Sequence, residues 1–215
     1  MFLSPNEKER LRDHIRETEE KTSGEIVTVI AEQSDGYRYI PLLWSTLCAL
    51  AVPGIYYLYQ ALTGNGWIYP GENTSALALL YQIQVLVFFG LALLFSLTPL
   101  GLKLIPTSVK RERAARQAAE QFYAQGIHTT EARAGILVFV SVAERYVEIR
   151  VDSAIADRIS NAEWQDTIDA FVGALKRGEI AAGFELTLTK CRDVLWEHFP
   201  ASNNADELPN HLIEI

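Results

Sequence analysis

Leu11, Ile15 and Thr18 form a thin stripe at helical spacing in a segment that is otherwise charged. Ser4-Pro5-Asn6-Glu7 opens it with a serine cap, a proline suited to the first helical position and a glutamate three residues after the cap. A helix is predicted there, ended near "KTSG" by Gly24. "EIVTVIA" (25–31) is rich in β-branched residues and predicts a strand. Much later, Thr107 or Ser108 can cap "VKRERAARQAAEQFYAQG", a helix with one basic face and one small apolar face of Val109, Ala115, Ala118, Ala119 and Phe122, stopped by Gly126. "AGILVFVSV" (134–142) is almost continuously apolar, as a central strand covered on both faces should be. "AER" predicts a tight turn, and "YVEIRVD" (146–152) alternates like a strand with one side less buried. Ser160-Asn161-Ala162-Glu163 is a second capping box. It opens a helix carrying Trp164, Ile168, Phe171, Val172 and Leu175 to Gly178, and a last helix is expected from about Ile180 to Phe199.

Between the first strand and the Thr107 helix the pattern loses its polar half. Tyr39–Tyr59 carries no charge, long enough to cross roughly 30 Å of hydrocarbon at 1.5 Å per residue. Ala76–Leu102 is also uncharged. Two spans, about 39–59 and 79–100, are therefore predicted, and such helices tolerate Pro53 and Gly54. The connecting "QALTGNGWIYPGENTS" holds one charge, Glu72, and no Lys or Arg. Lys21 and Arg38 precede the first span; Lys103, Lys110, Arg111, Arg113 and Arg116 follow the second. The positive-inside rule then puts both flanks, and so both termini, in the cytoplasm. Tyr56, Tyr57, Tyr59, Trp67, Tyr69 and Tyr81 gather near the turn as an interfacial aromatic belt would.

Without the two spans the order is helix, strand, helix, strand, strand, helix, helix. The predicted fold class is α/β: a small mixed sheet flanked by helices, interrupted after its first strand by a two-helix transmembrane hairpin. The first strand and the apolar strand should pair in parallel across the Thr107 helix, with the third strand antiparallel. The organisation expected is 1–38 and 103–200 as two pieces of one domain, 39–102 as the hairpin, and 201–215 as a loosely ordered tail.

Composition narrows the functions. A mean hydropathy of +0.06 with 21% charged residues suits a mixture of soluble and membrane parts, and a net charge of −8 argues against a nucleic-acid partner. Cys48 and Cys191 are too few and too distant for a disulfide framework or metal knuckle, and are expected as packed thiols. "MFLSPNEKERLRDHI" shows no apolar stretch of signal-peptide length. The HExxH, phosphate-loop, dinucleotide-loop and GxSxG signatures are missing, and His14, His128, His198 and His211 lack metal-ligand spacing.

Taken in order, "LSPNEKERL", "KTSGEIVTVIA", "QAAEQFYAQGI", "AGILVFVSVAERYVEIRVDSAIA", Trp164 and "LTKCRDVLWEHFP" resemble the TPM domain family. They are most similar to the bacterial branch in which two spans interrupt the domain and which often stands beside LemA-type membrane proteins. The resemblance implies a multi-pass protein of the bacterial inner membrane, with a LemA-like or sibling TPM protein as partner. It also implies, for some members, acid phosphatase activity through an acidic, metal-associated cluster. The family's Asp before the first helix is absent, since only Met1-Phe2-Leu3 stand there, and Ala134 occupies the position before Gly135. "VDSAIADRIS" keeps Asp152 and Asp157 without the motif's glycine and glutamate.

The predicted topology brings Glu25, the His128–Glu131 loop, Asp152 and Asp157 to one end of the sheet. Three carboxylates, Glu25, Asp152 and Asp157, could there hold a hard divalent cation or share a proton. The opposite end, the carboxyl ends of the parallel strands, is the usual ligand crevice and offers Ser34, Asp35, Ser141, Glu144 and Arg145. Lys103, Lys110, Arg111 and Arg113 could enforce topology or meet anionic lipid headgroups. The expected function is a protein-binding or envelope-maintenance factor anchored in the membrane. The alternatives are a metal-assisted phosphatase and a regulatory module acting at the membrane surface.

Overall fold

A computed structural model describes residues 2–37, 39–63, 74–98, 100–201, 208 and 212–215. Arg38, Trp67, Tyr69, Glu72 and His211 lie outside them. In chain order the elements are α1 (Pro5–Glu19), β1 (Glu25–Ala31), α2 (Tyr39–Leu62), α3 (Thr74–Leu97), α4 (Leu100–Lys103), α5 (Thr107–Ala124), a 3-10 turn (Ile127–Thr129), β2 (Gly135–Ser141), β3 (Tyr146–Val151), α6 (Ser153–Ala156), α7 (Asn161–Arg177), α8 (Ile180–His198) and β4 (Ile213–Glu214). They divide into two compact units: Met1–Asp35 with Ser108–Ile215, and Gly36–Thr107.

The first unit is built on a mixed sheet in the order β3-β2-β1-β4. β1 and β2 pair in parallel from Glu25 opposite Gly135 to Ala31 opposite Ser141. β3 returns antiparallel, with Ile136 opposite Val151. Because side chains alternate across a strand, the two central strands feed two cores. Ile26, Ile30, Ile136, Val138 and Val140 pack with Leu11, Ile15, Trp164, Phe171, Phe184 and Leu188, so α1, α7 and α8 cover that face. Val27, Val29, Leu137 and Phe139 pack with Ala118, Phe122 and Ile127, so α5 covers the other. The full burial of β1 and β2 is the reason neither shows a polar alternation. The expected mixed α/β architecture is the observed one.

Both capping boxes form. Ser4 and Glu7 exchange bonds at the start of α1, and Ser160 and Glu163 at the start of α7. The Ser4 bonds hold the exposed Glu7 carboxyl below its usual range. Gly178, at φ +81°, ends α7 in the left-handed region that a glycine enters without Cβ strain. Other expectations need correction. α1 stops at Glu19, well before Gly24, with Glu20 donating its N–H back to Arg16. Gly24 serves close packing instead: a Cβ there would fall 2.4 Å from Leu195 Cδ2 and 2.9 Å from the Ala134 carbonyl. On α5 the buried line is Ala114, Ala118 and Phe122, while Val109, Ala115 and Ala119 are only half-buried. One residue out of register turns a side chain by about 100° on a helix, and the i, i+4 line is the one aimed at the sheet. The last residues of the chain, expected to be loose, form β4 parallel to β1.

The second unit pairs α2 with α3. Both are long and apolar enough to cross a membrane, with mean hydropathies of 1.4 and 2.2 over their most apolar windows. The helices run Tyr39–Leu62 and Thr74–Leu97, so the second starts and ends earlier than the predicted 79–100, and Leu100–Lys103 is a separate turn. Leu43, Leu50, Ile55, Leu58, Leu86, Phe89 and Leu93 are exposed, the reverse of what a core helix of a soluble protein shows. On α2, Ser45 Oγ donates to the Pro41 carbonyl at 2.7 Å and Thr46 Oγ1 to the Leu42 carbonyl at 2.8 Å, which satisfies these two hydroxyls along the helix.

Cys191 is fully buried in the α1/α7/α8 core, and burial pushes its thiol up to about 12. The folded state therefore keeps a proton that the unfolded chain releases near pH 9, and stability falls as pH rises from there toward 12. In the detergent-solubilised chain, maleimide at neutral pH should leave Cys191 unlabelled until denaturant is added. Between pH 9 and 11 the wild type should lose roughly 1 kcal/mol per pH unit more than Cys191→Ala. Parallel pH profiles for the two would contradict the burial.

Candidate functional site

Glu25 opens β1 on the face that α5 covers, and it is buried. Gly135 stands opposite it, and the Asp152 N–H donates to the Gly135 carbonyl at 2.9 Å. The three form a row across β1, β2 and the end of β3. Glu25 and Asp152 are thus two strand spacings apart, roughly 10 Å. The space between them is filled, since a Cβ on Gly135 would lie 2.4 Å from Ile127 Cγ2. Asp152 is occupied as the cap of α6: Oδ1 accepts from the Ser153 N–H at 2.6 Å, and Oδ2 lies 3.8 Å from Arg133 Nη1. Asp157 sits exposed at the far end of α6. Sequence reasoning places Glu25 and Asp152 at the same end of the sheet, and the wedge of Ile127 keeps them from meeting. His128 is half-buried, edge-on to Tyr123 with ring centroids 5.1 Å apart. Among the described residues no group of three or more His, Cys, Asp or Glu is placed to hold a metal ion.

At the carboxyl ends of the parallel strands the polar residues bond to one another. The buried Ser141 donates its Oγ to Glu144 Oε2 and accepts from Ser34 Oγ at 2.7 Å. The Ser34 N–H points at both Glu144 oxygens, at 3.1 and 3.2 Å. Asp35 pairs with Arg113 of α5 at 3.3 Å. The Val142 and Ala143 N–H groups carry the parallel ladder on to the Ala31 and Glu32 carbonyls. Arg145 is exposed, in the left-handed region at φ 52°, where the β2–β3 turn closes. The arrangement is a clasp on the segment leaving β1, with its hydrogen-bonding capacity used internally.

A third place, not foreseen from the sequence, is the outer edge of β3. The Asp152–Gly135 bond and the strand register make Arg150/Leu137, Glu148/Phe139 and Tyr146/Ser141 the hydrogen-bonded pairs. Val147, Ile149 and Val151 consequently turn their N–H and C=O groups outward. α5 borders this edge with Arg111 and Ala115, and α7 borders it with Trp164, Gln165 and Ile168, leaving an open groove of about 720 Å³. Trp164 is buried, and its indole Nε1–H has no acceptor among the described residues. Tyr146 Oη donates to Glu148 Oε2 at 2.6 Å, and Glu148 pairs with Arg150 at 2.7 Å. Burial first, then the bond to Glu148, raises the Tyr146 phenol above its ordinary range. The alternation of "YVEIRV" signals a half-covered strand, yet which strand lies at the edge follows only from strand order. Of the basic residues, Lys110, Arg111 and Arg113 stand in the first turns of α5, and Lys103 ends α4.

The clasp makes a specific demand on stability. Glu144→Ala would strand the buried Ser141 hydroxyl and should cost about 1–3 kcal/mol. In a double-mutant cycle, Ser141→Ala should remove at least a third of that cost. Strict additivity in denaturant unfolding would contradict the coupling.

Residues 104–194 match the family model of the TPM domain. The NMR structure of the BA42 protein from the psychrophilic bacterium Bizionia argentinensis is similar with a TM-score of 0.58 and 19% sequence identity, covering 100% of this chain and 96% of that chain. At that identity the likeness concerns the fold. No curated protein matches the chain. The sequence match to the TPM domain thus runs from Leu104, just after α4, into α8, and the likeness to the solved structure is one of fold.

Proposed function

We propose that this is an integral protein of the bacterial inner membrane, with both termini in the cytoplasm, whose TPM domain binds an extended segment of a partner protein along the outer edge of β3. The open edge is the observation that carries this reading. Three outward residues, Val147, Ile149 and Val151, offer main-chain groups that no strand pairs among the described residues, beside an open groove bordered by two helices. An added strand would satisfy those groups, and its alternate side chains would meet Ile168 and Trp164 on one side and Ala115 and Arg111 on the other. The buried Trp164 Nε1–H supplies one further donor.

Membrane anchorage is supported by the exposed apolar surfaces of α2 and α3 and by the basic residues that follow them. Lys103, Lys110, Arg111 and Arg113 then fit anionic headgroups at about 1 kcal/mol each. A docking role rests on shape and main-chain bonding, and it needs no cluster of catalytic side chains.

A photo-crosslinking amino acid at the exposed Gln165 of the full-length protein in membranes tests the edge directly. A discrete protein adduct should form there and not from Arg12 on α1. Ile149→Pro removes one outward N–H without touching a β2 hydrogen bond, and should cut the adduct at least tenfold while the domain stays folded. Trp164→Phe should reduce it several-fold. An adduct indifferent to both substitutions, or equal labelling from Arg12, would overturn the proposal.

A further inference from the structure

Six residues of α3 stand at alternate spacings of three and four: Leu79, Gln82, Leu86, Phe89, Leu93 and Ser96. That is the seam of a heptad repeat, with leucine at every second position and an amide among the others. The seam is exposed, Leu79 at 58%, Leu86 at 73%, Phe89 at 66% and Leu93 at 61%, so α2, which pairs with α3, leaves it uncovered. Outward leucines suit lipid; an amide does not. Gln82 stands five residues, roughly 7.5 Å, inside the apolar window Leu77–Leu97, where hydrocarbon offers no hydrogen-bonding group. Its exposed side chain forms no hydrogen bond with another described residue. On α2 the polar side chains are spent locally: Ser45 and Thr46 donate to carbonyls one turn back, and Gln60 Nε2 donates to Tyr56 Oη at 3.0 Å. Gln84, on the other side of α3, is half-buried. Gln82 is thus an outward amide whose partner has to come from outside the hairpin, since an unpaired amide in hydrocarbon is costly.

We infer that α3 pairs in parallel with α3 of a second copy along this seam, the two Gln82 amides hydrogen-bonding to each other. The inference rests on the membrane anchorage proposed above. Two copies inserted in one membrane enter it in the same sense, so their α3 helices run parallel. About a two-fold axis along that direction each seam position meets its own equivalent, leucine against leucine and Gln82 against Gln82. A primary amide carries both an N–H donor and a carbonyl acceptor, so a second amide completes it. A carboxylate or an ammonium brings only half of that set. The polar layer also fixes the register, because a slip of one heptad would set each Gln82 against a Phe89. In the same register Ser96, two heptads on, meets its own equivalent. A different protein would have to offer an amide at the same depth between two equally spaced leucines; a second copy does so by identity.

The test uses the full-length protein carrying Cys48→Ser, which removes the exposed thiol of α2, in vesicles of phosphatidylethanolamine and phosphatidylglycerol. Single cysteines are introduced along α3 and oxidised with copper phenanthroline. Dimer yield should peak at Leu79, Leu86, Phe89 and Leu93, and be at least fivefold lower at the half-buried Leu80, Val87 and Leu91. Energy transfer between donor- and acceptor-labelled chains, followed as lipid is added, measures the strength of pairing. Each interhelical hydrogen bond in a membrane is worth roughly a threefold change in association or more. Gln82→Leu should therefore weaken pairing at least fivefold, while Gln82→Asn, which keeps the amide, should stay within about threefold of wild type. Washing cell membranes with alkaline carbonate separates this inference from the reading it rests on. Release of the chain would overturn the membrane anchorage and the pairing with it. A retained chain with a flat cysteine profile, no energy transfer at any dilution, or pairing indifferent to Gln82→Leu would overturn the pairing alone.

Discussion

Parallel pairing of β1 with β2 is the constraint on which the rest of the first unit depends. Two parallel strands cannot be joined by a tight turn: the chain must leave the end of one and travel back to the start of the other. α5 makes that return, and its buried Ala118 and Phe122 pack with Val27, Val29, Leu137 and Phe139. Once the return helix and the two strands are held, the length of chain between Ala31 and Thr107 costs little, because closure entropy grows only logarithmically with loop length. That tolerance makes room for an entire second unit between the first strand and its crossover helix. The Ser34–Glu144–Ser141 clasp fastens the outgoing segment at the point of departure.

Much of this was legible in the residues for simple reasons. The β-branched run at 25–31 and the apolar run at 134–142 read as strands because both faces are covered, which removes any polar alternation. The two capping boxes read correctly because they are local, three residues from donor to acceptor. The end of α1 did not: Gly24 looks like a helix stop and is instead the one residue thin enough to pass between Leu195 and the Ala134 carbonyl. β4 escaped for a related reason. Two residues carry no period, and "LIEI" becomes a strand only because β1 has an edge to offer.

The candidate site shows the same division between what is local and what is not. Topology alone brings Glu25 and Asp152 to the same end of the sheet. Whether they act together depends on Ile127, which comes from the turn after α5 and seats itself over Gly135. The two sheet edges are likewise invisible until strand order is known. An exposed edge invites pairing with other chains, and proteins restrain it with cover or interruption. The β1 edge is covered by β4, while the β3 edge is bordered by α5 and α7 with no strand laid against it among the described residues.

The proposed topology has a hairpin that interrupts one globular domain, enters the membrane and returns on the same side. Paired reporter fusions, one active only in the cytoplasm and one only in the periplasm, placed at each terminus and within residues 64–73, measure it most directly. The account predicts cytoplasmic reporters active at both termini and the periplasmic reporter active in the turn. A terminus in the periplasm, or a turn that scores as cytoplasmic, would contradict it.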